Sequence, residues 1–349
     1  MEEENKLEYD KEIQSSKASA HKCDFHSVLL YTGSGESSRS LDVGPKLKKL
    51  GLKEKPLLDY HIEMLVKSKM YDIAIVTVKD DPIEKELQNI NFSKYLAKMG
   101  IAREIIPKLN VRVFALKYTE DSTIKAMQLI SSHLKKDLII VHGQYLLEMN
   151  LMDALAIHKI NSAEITMILK KQSDLDQQAK KKAFADNFNI YGINKENNEV
   201  YCMFNNFEAE DSSGLSIHTS ILKKCPSARM TLRSDICDTG VYIMRNMFTK
   251  KLEKLDSIDF DLVRFMVRNQ FKKKLRDVIG RNQPDEDTAE IDDLLDVELK
   301  LKDKITIIAC IKEEEEVALE MNIVNQQPDS DEEAEEEDSN QQMFMSDSD

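Results

Sequence analysis

From residue 25 to about residue 170, short apolar runs rich in β-branched residues alternate with stretches whose apolar residues recur at helical spacing. That alternation limits the chain to very few architectures. Strands separated by helix-length segments cannot pair as hairpins, so they must lie parallel, joined by right-handed crossovers. The runs are Phe25–Tyr31, Ile73–Val78, Val111–Leu116, Asp137–His142 and Ile165–Leu169. Between them, Leu58, Ile62 and Leu65 form one helical stripe, with Pro56 expected at the tolerated first helical position. Residues 82–99 read as helix in two pieces. A further helix, capped by Asp121 or Ser122, carries Ile124, Met127, Ile130 and Leu134, and 151–160 reads as another.

After residue 170 the pattern changes. Residues 188–193 and 199–204 are short runs around the turn-forming cluster Asn194–Asn198, and 236–244 reads as a buried strand. Residues 246–255 and 258–271 read as helices, the second with Phe260, Val263, Val267 and Phe271 on one face and Arg264 and Arg268 beside it. The expected organisation is an unstructured arm over 1–24, an α/β domain over 25–272 and a charged linker over 273–303. A short β segment over 304–325, with strands near 305–311 and 317–324, and a disordered acidic tail over 326–349 complete it.

Charge sharpens this division. The whole chain has a formal charge of −14, but residues 313–349 hold fifteen Asp or Glu and no Lys or Arg, which leaves residues 1–312 at +1. A nearly neutral body argues against broad electrostatic binding of nucleic acid. The five cysteines are scattered without a CxxC pair and read as reduced thiols of a cytosolic protein. No apolar run reaches the roughly 18 residues that span a bilayer. In the acidic tail, Ser330 and Ser346 each have an acidic residue three positions on, which suits acidophilic kinases.

The candidate site lies at strand ends. In an open α/β sheet, ligands bind beyond the carboxyl ends of the strands, and the 137–142 strand ends in Gly143-Gln144. A carboxylate at position 144 would suit Mg²⁺ on a nucleotide's phosphates; Gln144 offers an amide oxygen without charge. Thr32–Arg39, after the first strand, is a loop of small residues whose Gly33 and Gly35 would let backbone N–H groups approach phosphate. Arg39 and Lys46 supply positive charge, while Glu36 opposes it. Asp238 is the remaining carboxylate near a strand; backbone N–H groups holding it in place is the competing reading.

Three segments in order resemble the sugar-1-phosphate nucleotidyltransferase superfamily: Gly33-x-Gly35-x-x-x-Arg39-x-Leu41 with Pro45-Lys46 and Lys55–Leu58; Ser122-Thr123 before the 138–143 strand; and Asp238-Thr-Gly240-Val-Tyr242. Within it, Lys180–Phe184, Ile217–Pro226, Asp261–Phe271 and Ile305–Lys312 with Val324-Asn325 resemble the gamma-subunit family of eukaryotic translation initiation factor 2B. The resemblance implies a Rossmann-like, mostly parallel sheet flanked by helices, without that family's C-terminal left-handed β-helix. It further implies a non-catalytic, regulatory role in a complex that exchanges GDP for GTP on initiation factor 2. The implied partners are other factor 2B subunits, above all the epsilon-type subunit, and initiation factor 2 itself. No membrane, nucleic-acid or metal partner and no resident cofactor are expected. The alternatives are an active sugar-1-phosphate nucleotidyltransferase, such as a mannose-1-phosphate guanylyltransferase, or a sensor of GTP or a nucleotide-sugar. On either, Gly33, Gly35, Arg39, Lys46, Gln144 and Asp238 would be the nucleotide-binding residues.

Overall fold

The computed structural model describes residues 25–31, 55–79, 81–116, 123–171, 189–205, 229–246, 262–270, 306–312 and 317–320. The N-terminal arm, the loop bearing Gly33, Gly35, Arg39 and Lys46, the caps Asp121 and Ser122, all of the expected 246–255 helix but its first residue, the charged linker and the acidic tail lie outside these residues.

The expected alternation is present. β1 (Phe25–Tyr31), β2 (Asp72–Val78), β3 (Asn110–Leu116), β4 (Asp137–His142) and β6 (Ile165–Lys171) appear within a residue or two of the apolar runs. Between them lie α1 (Leu57–Lys67), α2 (Pro82–Gln88), α3 (Phe92–Lys98), α4 (Thr123–Ile130) and α5 (Met152–Ile160). Pro56 is the residue before α1 rather than its first turn; its extended ψ of 148° takes it out of the helix. Asp81 caps α2 by accepting from the Ile83 N–H at 2.9 Å, and Asn91 caps α3 through the Lys94 N–H at 3.2 Å.

Seven strands form one sheet in the order β11-β6-β10-β4-β1-β2-β3, where β10 is Ile236–Met244 and β11 is Ile307–Lys312. All neighbouring pairs are parallel except those made by β10, which runs antiparallel to both β4 and β6. The fold is therefore a mixed, mostly parallel α/β sheet with helices on its faces. A three-stranded antiparallel sheet, β8-β7-β9, is built from β7 (Asn189–Asn194), β8 (Val200–Asn205) and β9 (Met230–Arg233). A two-stranded ribbon pairs β5 (Tyr145–Glu148) with β12 (Val317–Glu320).

Side chains leave a strand alternately on its two sides, so the large sheet supports two cores. Val28, Leu30, Leu138, Ile140, Tyr242 and Met244 face α4, the small sheet and α6 (Leu262–Asn269). Leu29, Tyr31, Ile139, Val141 and Ile243 face α1 and α5. The α1 stripe is fully buried there, with Leu58, Ile62 and Leu65 at 0% exposure. Each such side chain contributes about 1.5–3 kcal/mol by leaving water. On α6, Val263 and Val267 are buried as the spacing implied; their stripe partners Phe260 and Phe271 lie outside the described residues.

Two polar anchors fix β11 at the sheet edge. Buried Glu164 accepts from the Thr306 N–H at 2.7 Å, just before the strand, and the Lys312 ammonium at its end donates to the Asn150 carbonyl at 2.7 Å. Sequence distances of 142 and 162 residues separate these partners.

Ile139 and Ile140, neighbours pointing to opposite faces, are both buried, so Ile139→Ala and Ile140→Ala should each lower the unfolding free energy by about 2–5 kcal/mol. Urea unfolding followed by circular dichroism measures both; a negligible loss for one would show that its face is not a packed core.

Candidate functional site

Strand order reverses between β1 and β4: β2 and β3 extend the sheet to one side, and the chain then returns to place β4 on the other. The crevice beyond the carboxyl ends of β1 and β4 is the switch point at which open α/β sheets take ligands. Gly143-Gln144 lies there. Because β10 is antiparallel to β4, its amino-terminal half, with Asp238 and Gly240, arrives at the same end. The sheet thus brings Gln144 and Asp238 to one crevice, while Gly33, Gly35, Arg39 and Lys46 lie outside the described residues.

The floor of this crevice is filled by the chain's own side chains. Leu30 is opposite His142, and the Gly143 N–H donates to the Leu30 carbonyl at 2.7 Å, which carries the ladder one residue past β4. A Cβ on residue 143 would collide with the Tyr31 ring, so glycine is required by close packing. The Tyr31 hydroxyl and Nδ1 of His61 are 2.7 Å apart, and Nε2 of His61 is 2.6 Å from the Tyr145 carbonyl. A carbonyl can only accept, so Nε2 carries the proton and Nδ1 accepts from the tyrosine. His61 is therefore a neutral bridge linking the end of β1, α1 and the residue after Gln144. Burial pushes its pKa from 6.5 down to about 4, against the raising effect of the Tyr145 carbonyl. Burial likewise holds the Tyr31 hydroxyl well above its usual range. Beside this network, the Tyr95 hydroxyl donates to Asp59, whose carboxyl is raised by burial.

Asp238 is held by its own strand. Pairing of β10 with β6 slips between Asp238 and Val241, a bulge that sets Thr239 and Gly240 out of register. Within it, the Asp238 carboxylate accepts from the Gly240 N–H at 2.8 Å and from the Tyr242 hydroxyl at 2.6 Å. Thr239 donates to the Ile168 carbonyl at 2.6 Å. Gly240 has φ +66°, and a Cβ there would strike the Tyr145 ring, so both backbone and space demand glycine. Asp238, Thr239, Gly240 and Tyr242 therefore each have a structural task at the bulge, and Val241 returns to the ladder and the core. His142 meets Tyr242 edge-on, ring centroids 5.6 Å apart.

Chemically, the described residues bring to the crevice the Asp238 carboxylate, which accepts two hydrogen bonds from its own strand, and an uncharged amide, Gln144, which is half-buried. Among the described residues no group of three or more His, Cys, Asp or Glu is placed to hold a metal ion. The residues that sequence reasoning passed over are His61, Tyr31 and Tyr145. His61 falls on the apolar stripe of α1, where nothing local marks it as a bridge.

No protein-family model matches the chain. Among solved structures it is similar to one from Bacillus anthracis, described as a glucose-1-phosphate thymidylyltransferase in complex with a sucrose. Identity is 10%, the match covers 86% of this chain and 94% of that one, and the TM-score is 0.46.

The buried neutral His61 makes the fold acid-sensitive. Its folded pKa lies below the unfolded value, so the unfolded chain binds the proton first as pH falls through 6.5. Stability is intact above that point and declines progressively toward about pH 4. Between near pH 7.5 and about pH 5 this residue should cost about 2 kcal/mol. His158, pushed to about 3 chiefly by burial, adds to the trend. Urea titrations at the two pH values should show a smaller loss for His61→Leu than for the parent; an equal loss would mean that His61 does not titrate on unfolding.

Proposed function

We propose that this chain is a non-catalytic, nucleotidyltransferase-like regulatory subunit of the factor 2B guanine-nucleotide exchange complex. In the cytosol it supports GDP/GTP exchange on initiation factor 2 by docking related subunits, the epsilon-type subunit first. The observation that carries the non-catalytic part is the state of Asp238. Its oxygens accept from the Gly240 N–H and the Tyr242 hydroxyl, and the position at the end of β4 is the uncharged Gln144. Mg²⁺ with a triphosphate favours several hard, charged oxygens, and one carboxylate tied into its own bulge is a weak start.

The factor 2B part is supported by the order of sequence segments that resemble that gamma-subunit family. Two of them fall on described elements: 261–271 contains α6, whose Val263, Met266 and Val267 are buried, and 305–312 contains β11. The chain's contribution on this reading is shape. The sheet and its two helical faces hold surfaces for other subunits, and the crevice needs no turnover. No helix among the described residues is long and apolar enough to cross a membrane.

A second reading, an active sugar-1-phosphate nucleotidyltransferase, is favoured by the switch-point order of β3, β2, β1 and β4. A nucleotide or nucleotide-sugar sensor is compatible with the same crevice.

Affinity purification of the endogenous protein, followed by mass spectrometry, should recover translation-factor subunits. The isolated chain should release no pyrophosphate from GTP or UTP supplied with a sugar 1-phosphate and Mg²⁺. Turnover that Asp238→Ala abolishes would establish the enzyme reading instead, and recovery without any translation factor would remove the factor 2B assignment.

A further inference from the structure

The edge strand β3 is an unusual way to finish a sheet. Among the described residues its only strand partner is β2, and the pairing runs without a slip from Asp72 opposite Asn110 to Val78 opposite Leu116. Exposed edges are ordinarily blunted by proline, bulges or repeated charge. In β3, Asn-Val-Arg-Val-Phe-Ala-Leu, there is no proline, no bulge and one charge, Arg112, which donates to Asp72 at 3.3 Å.

The direction of its backbone follows from one hydrogen bond. The Asn110 N–H donates to the Tyr71 carbonyl at 2.7 Å, so residue 110 faces the β1–β2 side. N–H and C=O of successive strand residues point to opposite sides. Residues 112, 114 and 116 therefore also face β2, while Val111, Val113 and Ala115 aim their N–H and C=O outward.

An antiparallel strand joining that edge would pair outward residues with outward residues. For two copies related by a two-fold axis, the registers that keep most of the strand centre on Arg112, Val113 or Phe114, and the one centred on Val113 alone keeps all 7 residues. The Arg112-centred register sets two guanidinium groups directly opposite each other at a non-hydrogen-bonded position, the closest approach a sheet offers. The Phe114-centred register leaves Asn110 and Val111 without strand partners from the second copy's β3. The remaining register centres on Val113. It pairs Val113 with Val113 of the second copy, and Val111 with Ala115 of the second copy, through outward N–H and C=O groups. It also sets Arg112 opposite Phe114 of the second copy. Within one chain the Arg112 guanidinium already lies 5.8 Å from the Phe114 ring centroid, so this contact repeats an attraction that the strand makes itself.

We propose that β3 is a self-complementary edge and that a second copy of this chain occupies it, antiparallel and centred on Val113, making one continuous sheet across the two-fold axis. The backbone supplies the ladder, full overlap of the strand together with the avoided Arg112–Arg112 clash fixes the register, and Val111, Val113 and Ala115 give that side of the joint an apolar surface.

The test uses the full chain alone. Sedimentation over roughly 1–100 µM should show a monomer–dimer equilibrium. Amide exchange over residues 109–117 should slow as the dimer fills. Val113→Pro removes an outward N–H without touching the bonds to β2, and proline is tolerated on that side of an edge strand. It should shift the equilibrium at least tenfold toward monomer while leaving the circular dichroism unchanged. Ala115→Lys, a charge placed on the same edge, should do the same and covers the case in which the proline variant fails to fold. A parent chain that stays monomeric throughout the range overturns the proposal. So does a dimer that Ala115→Lys leaves intact, which would place the contact elsewhere on the molecule.

Discussion

His61 is the interaction on which the geometry of the crevice depends. Its ring links the Tyr31 hydroxyl at the end of β1 to the Tyr145 carbonyl beyond β4, while its backbone belongs to α1. Three elements that meet nowhere else in sequence are thereby held at the point where strand order reverses. Both nitrogens are used, so the ring can neither flip nor gain a proton without losing a bond in a buried place, where an unmet polar group costs about 1–3 kcal/mol. With Tyr145 fixed, its ring covers Gly240, and with Tyr31 fixed, its ring covers Gly143. Gly143 and Gly240 are therefore backed by aromatic rings of the chain itself.

The bulge in β10 completes the same pattern from the other side. A sheet that paired β10 evenly with β6 would keep residues 239 and 240 in the ladder. The slip after Asp238, which stays opposite Leu169, brings the Gly240 N–H and the Tyr242 hydroxyl to its carboxylate. The hydroxyl of Tyr242 thus ends at the carboxylate four residues earlier, while its ring packs into the core below. Rigidity in this crevice comes from side chains meeting one another and the backbone.

The alternation of strands and helices was legible in the sequence because it is a matter of periodicity: Leu58, Ile62 and Leu65 on α1, or Ile139 against Ile140 on β4, declare their faces through spacing alone. β5 and β9 were not legible. Each has four residues, too few for a period to show, and β5 begins directly after a turn, so its two fully buried leucines read as the end of a loop. The site was legible in part. Gly143-Gln144 and Asp238 could be assigned to strand ends, and their meeting follows from the switch point plus the reversed direction of β10. What spacing could not reveal was the partner of each polar group. His61 and Tyr145 are separated by 84 residues, and Glu164 and Thr306 by 142. Contacts of that range are decided by topology rather than by local pattern. The motif Asp238-Thr-Gly240-Val-Tyr242 carries a short-range signal of its own: an Asp two residues before a glycine can accept that glycine's N–H, as Asx turns do.

A crevice filled from within and a sheet edge left open belong to one economy of surface. Here Tyr31, His61, Tyr145, Asp238 and Tyr242 engage one another or the nearby backbone, and the outer side of β3 is one edge of the large sheet that has no strand partner among the described residues. Backbone groups at a strand edge are met by water or by another strand, and only the second choice also buries Val111 and Val113. One physical incentive to associate therefore lies at the far side of the sheet from β11, two strands beyond β1 and the switch point. A chain arranged in this way can gain free energy from a neighbouring protein while its crevice stays unchanged.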